Sequence, residues 1–176
     1  MQNENVVFAI KRVKETFFSI KEDLYVEDPN KIVRIELGER IGFSAESNLV
    51  NFILRIFFHY QDSQEVLVDI NVENMFEVED LQRFMNEDGI FILPETLLIS
   101  IVSMSLSHGR ALLSKNIAGT RWQDIVLPIA NPGQIAKHFY PYMFNQEANV
   151  FKGDRDGNIE SQKITVNKKK KAIKKG

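Results

Sequence analysis

Side chains able to move a proton or hold a metal are few in this chain and far apart. Its three histidines, His59, His108 and His138, are widely spaced, and there is no cysteine. Disulfides, thiolate nucleophiles and thiolate metal sites are therefore excluded, and little is left for an imidazole site. His59 and Asp69 fall on what read as consecutive strands and point to the same outer face, the kind of pair a general base needs. An open sheet face, however, encloses no water-excluded pocket around such a pair. His108 stands among serines in a helical stretch and reads as an ordinary polar contact. There is no Gly-rich phosphate loop, nucleophile elbow or His-Glu-x-x-His. Asp154-Arg155-Asp156-Gly157-Asn158 breaks the spacing of a calcium loop and lacks its distal Glu, so it reads as a hairpin turn. With no complete constellation, neither an enzyme nor a cofactor is expected.

The chain has 176 residues, of which 44% are hydrophobic and 26% charged, with 13 Phe. That is the composition of one soluble globular domain able to bury a core without staples. No uninterrupted apolar run approaches the roughly 20 residues of a membrane span. The start Met1-Gln2-Asn3-Glu4-Asn5 lacks the positive charge of a signal peptide, so a cytoplasmic protein is expected. Charge is divided unevenly: residues 1–150 carry 13 Lys+Arg against 21 Asp+Glu, a net of −8, and residues 151–176 carry 9 against 3, a net of +6. The lysine-rich end, Lys168 to Gly176, has too few apolar residues to offset chain entropy. The expectation is a domain over 1–145 and a basic, disordered tail over 146–176. Such a tail binds nucleic acid or anionic lipid by counterion release, or simply solubilises the chain.

The elements that would position these residues divide into strands, then helices. Val6 to Ile20 reads as a long, half-exposed strand open to a bulge. Lys31 to Leu37 alternates and is closed by Gly38. From Leu49 to Tyr60, Val50, Phe52, Leu54, Ile56, Phe58 and Tyr60 share one face. After a turn at Gln61-Asp62-Ser63, Glu65 to Glu73 puts Val66, Val68, Ile70 and Val72 inward and Leu67, Asp69, Asn71 and Glu73 outward. Pro94 to about Ala118 carries apolar residues at helical spacing, with Gly119 just past its end. Gly109 weakens that helix unless a bend or a close contact needs it. Ser100, Ser103, Ser105 and Ser107 are small enough for close approach of a neighbouring element. An apolar stretch, Trp122 to Ile129, then leads to a short helix from Pro132 to about Phe144. The fold class is α+β: a four-stranded antiparallel sheet with one long and one shorter helix on one face.

Apolar side chains exceed what loops need. Met75-Phe76-Glu77-Val78, Phe84-Met85 and Ile90-Phe91-Ile92-Leu93, between the fourth strand and the long helix, interleave Phe and Met with acids, and Tyr25 and Phe43 flank the second strand. Met- and aromatic-rich surfaces suit promiscuous apolar recognition; the same residues could instead complete a thin core.

In collinear order over about residues 6–140, the chain resembles the SecB protein-export chaperones. Phe8-Ala9-Ile10-Lys11-Arg12-Val13 with Ser19-Ile20 looks like the family's first strand, and Leu54-Arg55-Ile56 like its third. Phe76-Glu77-Val78, Leu93-Pro94, Ile101-Val102-Ser103-Met104 and Leu127-Pro128-Ile129-Ala130-Asn131-Pro132 resemble later family elements. The resemblance implies an ATP-independent holdase that binds unfolded preproteins or other non-native clients in apolar grooves and delivers them to the SecA motor. It further implies a homotetramer built as a dimer of dimers. The client groove would then involve Tyr25, Phe43, Met75, Phe76, Phe84, Met85, Phe91 and Trp122. Leu67 and Asp69 would belong to the motor-docking face, and Ser100, Ser103 and Ser107 to the oligomer interface. Departures from the family pattern are Phe17 and Lys21 at first-strand positions that are acidic in the family, and the basic tail. Alternatives in view are a dedicated chaperone for an antitoxin or other specific partner, and a basic-tailed module for nucleic acid or membrane surface; specific nucleic-acid recognition is not expected.

Overall fold

The computed structural model of the protein describes residues 6–28, 30–144 and 164–167. Its strands are β1 (Phe8–Ile20), β2 (Val33–Ser44), β3 (Leu49–Tyr60), β4 (Val66–Val78) and a short β5 (Ile164–Asn167). They form one antiparallel sheet in the order β1-β4-β3-β2-β5. The long helix α1 (Glu95–Ile117) and the shorter α2 (Pro132–Phe139) and α3 (Pro141–Phe144) follow the four main strands, as the α+β pattern predicts.

Directly paired residues share a face, so the ladders sort every side chain. On the inner face, Val50, Phe52, Leu54, Ile56 and Phe58 of β3 and Val68, Ile70, Val72, Phe76 and Val78 of β4 are all buried. They meet Leu97, Leu98, Ile101, Val102, Leu106 and Leu113 of α1 in a single core. Gly109 is where helix and sheet come closest: a Cβ there would lie 2.8 Å from Leu54 Cδ2 and 2.9 Å from Ile56 Cδ1. Close contact, rather than a bend, accounts for this glycine. Asn74 interrupts the apolar face of β4, where its Oδ1 meets His108 Nδ1 at 2.7 Å, and Asn116 of α1 donates to Glu15 of β1 at 2.6 Å.

Several boundaries differ from the sequence reading. β2 continues through Gly38 to Ser44, because Glu39, Ile41 and Phe43 keep the alternation going opposite Leu54, Phe52 and Val50. β4 continues past Glu73 to Val78, which turns Met75-Phe76-Glu77-Val78 from a loop into strand. Register shifts next to Lys11 and Thr16 supply bulges in β1, and one at Leu67 brings Val66 opposite His59 instead of leaving it inward. The helix expected over 132–144 breaks at Tyr140, ahead of Pro141, where a continuing helix would lose a backbone donor. By length and composition α1 is also long and apolar enough to cross a membrane, although serines, His108 and Arg110 interrupt its apolar run; its buried side lies on the sheet. In the region expected to be tail, Ile164–Asn167 form β5; 145–163 and 168–176, including the Asp154–Asn158 turn, lie outside the described residues.

Candidate functional site

Aromatic side chains gather at both ends of the sheet, and each gathering has a local cause. At the first end, Asn86 closes a tight turn by accepting from the amides of Asp88 and Ile90, at 3.0 and 2.8 Å. Gly89 within it has φ 78°, the left-handed region that favours glycine. The flanking residues pair Met85 with Phe91, and the Ile92 amide donates to the Phe84 carbonyl at 2.8 Å. This small hairpin lays Phe91 on Phe43 of β2, stacked at 4.6 Å between ring centroids and 17° between planes. Met85 and Ile92 stay exposed, at 37% and 43%, and the Arg83 guanidinium covers the Phe84 ring at 4.7 Å from its centroid.

At the second end, Tyr25 meets Trp122 edge-on at 5.0 Å, and Tyr60 lies 6.1 Å from the same indole. Tyr60 Oη donates to the Leu24 carbonyl at 3.2 Å and accepts from the Val26 amide at 2.8 Å, so the β1–β2 connection is tied to β3. Past Trp122 the chain exposes Val126 and Ile129, the latter at 95%. Arg110 Nη2 pins this loop by donating to the Pro128 carbonyl at 2.8 Å. Phe43 pairs with Val50, and Tyr60 ends the same strand; the ten-residue step between them is about 33 Å at 3.3 Å per residue. Helix α1 bridges the same span, its 23 residues measuring about 34 Å.

The predicted groove residues thus form two groups at opposite ends. Phe43, Phe84, Met85 and Phe91 assemble at the first end with their surfaces partly open. Tyr25 lies at the second, half-buried. Phe76 and Trp122 are wholly enclosed, at 0% exposure, and act as core; Phe76 packs against Phe8 at 6.3 Å. Met75 falls on the opposite, outer face, paired with Arg12 and Asn51. The sequence reading counts Ile92 in the apolar surplus without assigning it to the groove, and it does not single out Val126 and Ile129 as surface residues. The signal was there: Ile92 sits two residues before Pro94, the N-cap of α1, and Ile129 lies between Pro128 and Pro132.

The outer face is tiled with ion pairs. Asp69 is gripped by Arg55 at two points, 2.9 and 2.6 Å, and that bond raises the affinity of the guanidinium for its proton. Arg12 pairs with Glu73 at 2.7 Å, Lys11 with Glu77 at 2.9 Å and Lys21 with Glu65 at 2.9 Å. Leu67 is buried at 2% exposure, while Phe17 is open at 46%. His59 and Asp69 share this face but not each other. His59 Nε2 meets Glu36 Oε1 at 2.9 Å, and its Nδ1 meets the carbonyls of Tyr60 and Ser63, both at 2.8 Å. Acceptors on both sides call for a proton on both ring nitrogens. Partial burial works against the charge, yet the bonds to Glu36 and to the two carbonyls prevail and raise the pKa above its ordinary value.

Glu39 is the anomaly of the inner face. It stands opposite Leu54, its Oε2 is buried with no hydrogen-bond partner among the described residues, and burial pushes its carboxyl up to about 7. Burial, with Glu39's charge adding to it, pushes the Tyr142 phenol of α3 to about 12.

Of the α1 serines, Ser100 and Ser107 donate to carbonyls of their own helix, those of Thr96 and Ser103, at 2.8 and 2.9 Å. Ser103 is half-buried, and Ser105 is enclosed in the core. Among the described residues, no group of three or more His, Asp or Glu is placed to hold a metal ion. A scan of the chain against protein-family models finds no match, and a search of curated proteins finds none either.

Proposed function

We propose that the protein is an ATP-independent holdase of the SecB type, keeping unfolded or non-native polypeptides soluble for Sec-dependent export. The observation that carries this reading is the part-open aromatic surface built by Phe43, Phe84, Met85 and Phe91, with Ile92 of the same hairpin exposed. Its side chains have no polar specificity and a Met among them, which suits clients of varied sequence. With the second cluster about 33 Å away, an extended client segment of about ten residues could contact both ends. Each buried apolar contact contributes about 25 cal/mol per Å², so affinity accumulates along a segment without any one contact being decisive.

Assembly as a homotetramer, a dimer of dimers, belongs to the same proposal. Ile10 and Val13 stand on the inner side of β1 at 44% and 37% exposure, in line for cover by another copy. Delivery to SecA draws less support from the outer face, where a partner approaching Asp69 competes with its two-point bond to Arg55.

The test is aggregation of a chemically unfolded preprotein diluted without nucleotide, followed by light scattering. The wild type should suppress it at about one assembly per client, and Met85→Ser/Phe91→Ser should suppress it at least severalfold less while keeping the same circular dichroism and oligomeric size. No suppression by the wild type at severalfold excess would overturn the holdase reading. Equal suppression by both proteins would remove the hairpin from the client surface.

A further inference from the structure

The two edges of the sheet are built differently. β1, at one edge, is interrupted by two bulges and carries Lys11, Arg12 and Lys14, devices that discourage another strand from pairing. β2, at the other, pairs with β3 without a register break from Val33 to Ser44, so it presents a regular row of outward backbone groups. Only a third of that row is used: β5 pairs with Arg34–Leu37, and among the described residues no strand continues along 38–44. Within the ladder the residue types match, Ile164 opposite Leu37 and Val166 opposite Ile35, with Thr165 and Asn167 opposite Glu36 and Arg34. Burial follows the ladder. On one face Ile35 and Leu37 are buried while Glu39, Ile41 and Phe43 are half-buried, and on the other Glu36 and Gly38 are buried while Arg40, Gly42 and Ser44 are exposed, so cover declines on both faces past the end of the β5 ladder.

We propose that the edge of β2 is a strand-addition site for an extended polypeptide, and that Ile164–Asn167 of the chain's own C-terminal region occupy it as an internal, displaceable strand. Three observations bear on this occupant. Its ladder is four residues long, against eleven or more for the other pairs, so it is the weakest pairing in the sheet. In the sequence, 19 residues (145–163) separate it from the end of α3, a spacing over which the entropy of loop closure grows only slowly. It also comes from a region of net charge +6 docking on a body of net charge −8, an attraction that favours return and fades with salt. Backbone pairing would supply the affinity and the alternate apolar positions the selectivity, a mode distinct from side-chain capture on the aromatic surface and independent of it.

The experiment uses the full chain and the full-length variant Thr165→Pro/Val166→Pro, in which proline cannot extend the ladder. The probe is a fluorescent peptide of the chain's own residues 161–170, with a scrambled peptide of equal composition as control. An internal strand that occupies the edge nine-tenths of the time weakens a competing strand about tenfold, since only the open fraction binds. The variant should therefore bind the peptide about tenfold more tightly than the wild type. Its amides over residues 33–38 should exchange faster, and protection there should return when the peptide is added. Equal affinity of the two proteins, equal binding of the scrambled peptide, or binding without restored protection at 33–38 would each overturn the proposal. None of these outcomes touches client suppression by the aromatic surface, so the two readings fail separately.

Discussion

Replacing Glu39 by Gln should stabilise the protein at alkaline pH and leave it nearly unchanged in acid. In the folded chain the carboxyl faces Leu54 across the ladder, has one oxygen buried without a partner, and is pushed from an ordinary value of 4.5 up to about 7. Because the folded state holds the proton more tightly than the unfolded one, stability falls as pH rises through the window from 4.5 to about 7 and stays low above it. A gap of that size corresponds to about 3 kcal/mol at 1.36 kcal/mol per pH unit. Residual solvent contact at this half-buried side chain reduces the effect, so about 1–3 kcal/mol is expected. For a domain of this size that amounts to about 3–10 °C in Tm. Urea unfolding of both proteins at pH 4.5, 6 and 8, followed by circular dichroism, gives the difference directly, and other titrating groups cancel between them. Parallel curves for the two proteins would refute the account of Glu39, and so would a Gln variant that is less stable at pH 8.

His59 should act in the same direction over a higher window: its raised pKa contributes stability fully present below 6.5 and lost as pH rises through the folded value. His59→Gln should thus be less stable than the wild type mainly in acid, with the gap narrowing toward pH 8 in the same urea series. At the helix–sheet contact, Gly109→Ala gains about 1 kcal/mol of helix propensity and loses about 1–3 kcal/mol to overpacking against Leu54 and Ile56. Gly109→Val adds bulk and lowers propensity gain, so its Tm should fall clearly below that of the Ala variant; two variants as stable as the wild type would contradict the close approach.

Strand periodicity carried most of the fold. Val50 to Tyr60 keep one face wholly apolar against a mixed one, and Val68 to Val72 one apolar against one polar face, so a two-residue period tells inside from outside without any knowledge of partners. Periodicity said less about where strands stop. Gly38 reads as a terminator, yet it sits buried opposite Arg55 in mid-strand, where a glycine weakens a strand without ending it. The same holds for Met75 to Val78, whose alternation continues that of β4 but is obscured by polar Asn74 at an inward position and apolar Met75 at an outward one. The bulge at Leu67 and the charge pairing of Asp69 with Arg55 lie beyond sequence reasoning, since both depend on register across strands.

That misplaced strand end changes where a client could bind. With β4 ending at Val78, the inward alternation continues through Val72, Asn74, Phe76 and Val78, which commits Phe76 to the core before any loop begins. Truncating it to Ala would cost about 3–5 kcal/mol in stability, so a loss of client capture in that variant would report unfolding as readily as contact. Trp122, equally enclosed, carries the same ambiguity. The apolar side chains exposed to solvent here are Met85 and Ile92 of the hairpin and Val126 and Ile129 of the loop, where truncation removes apolar surface from water without opening a cavity. Aromatic residues in an acid-rich stretch therefore mark this region correctly as apolar surplus, but the strand register decides which of them fill the core and which face outward.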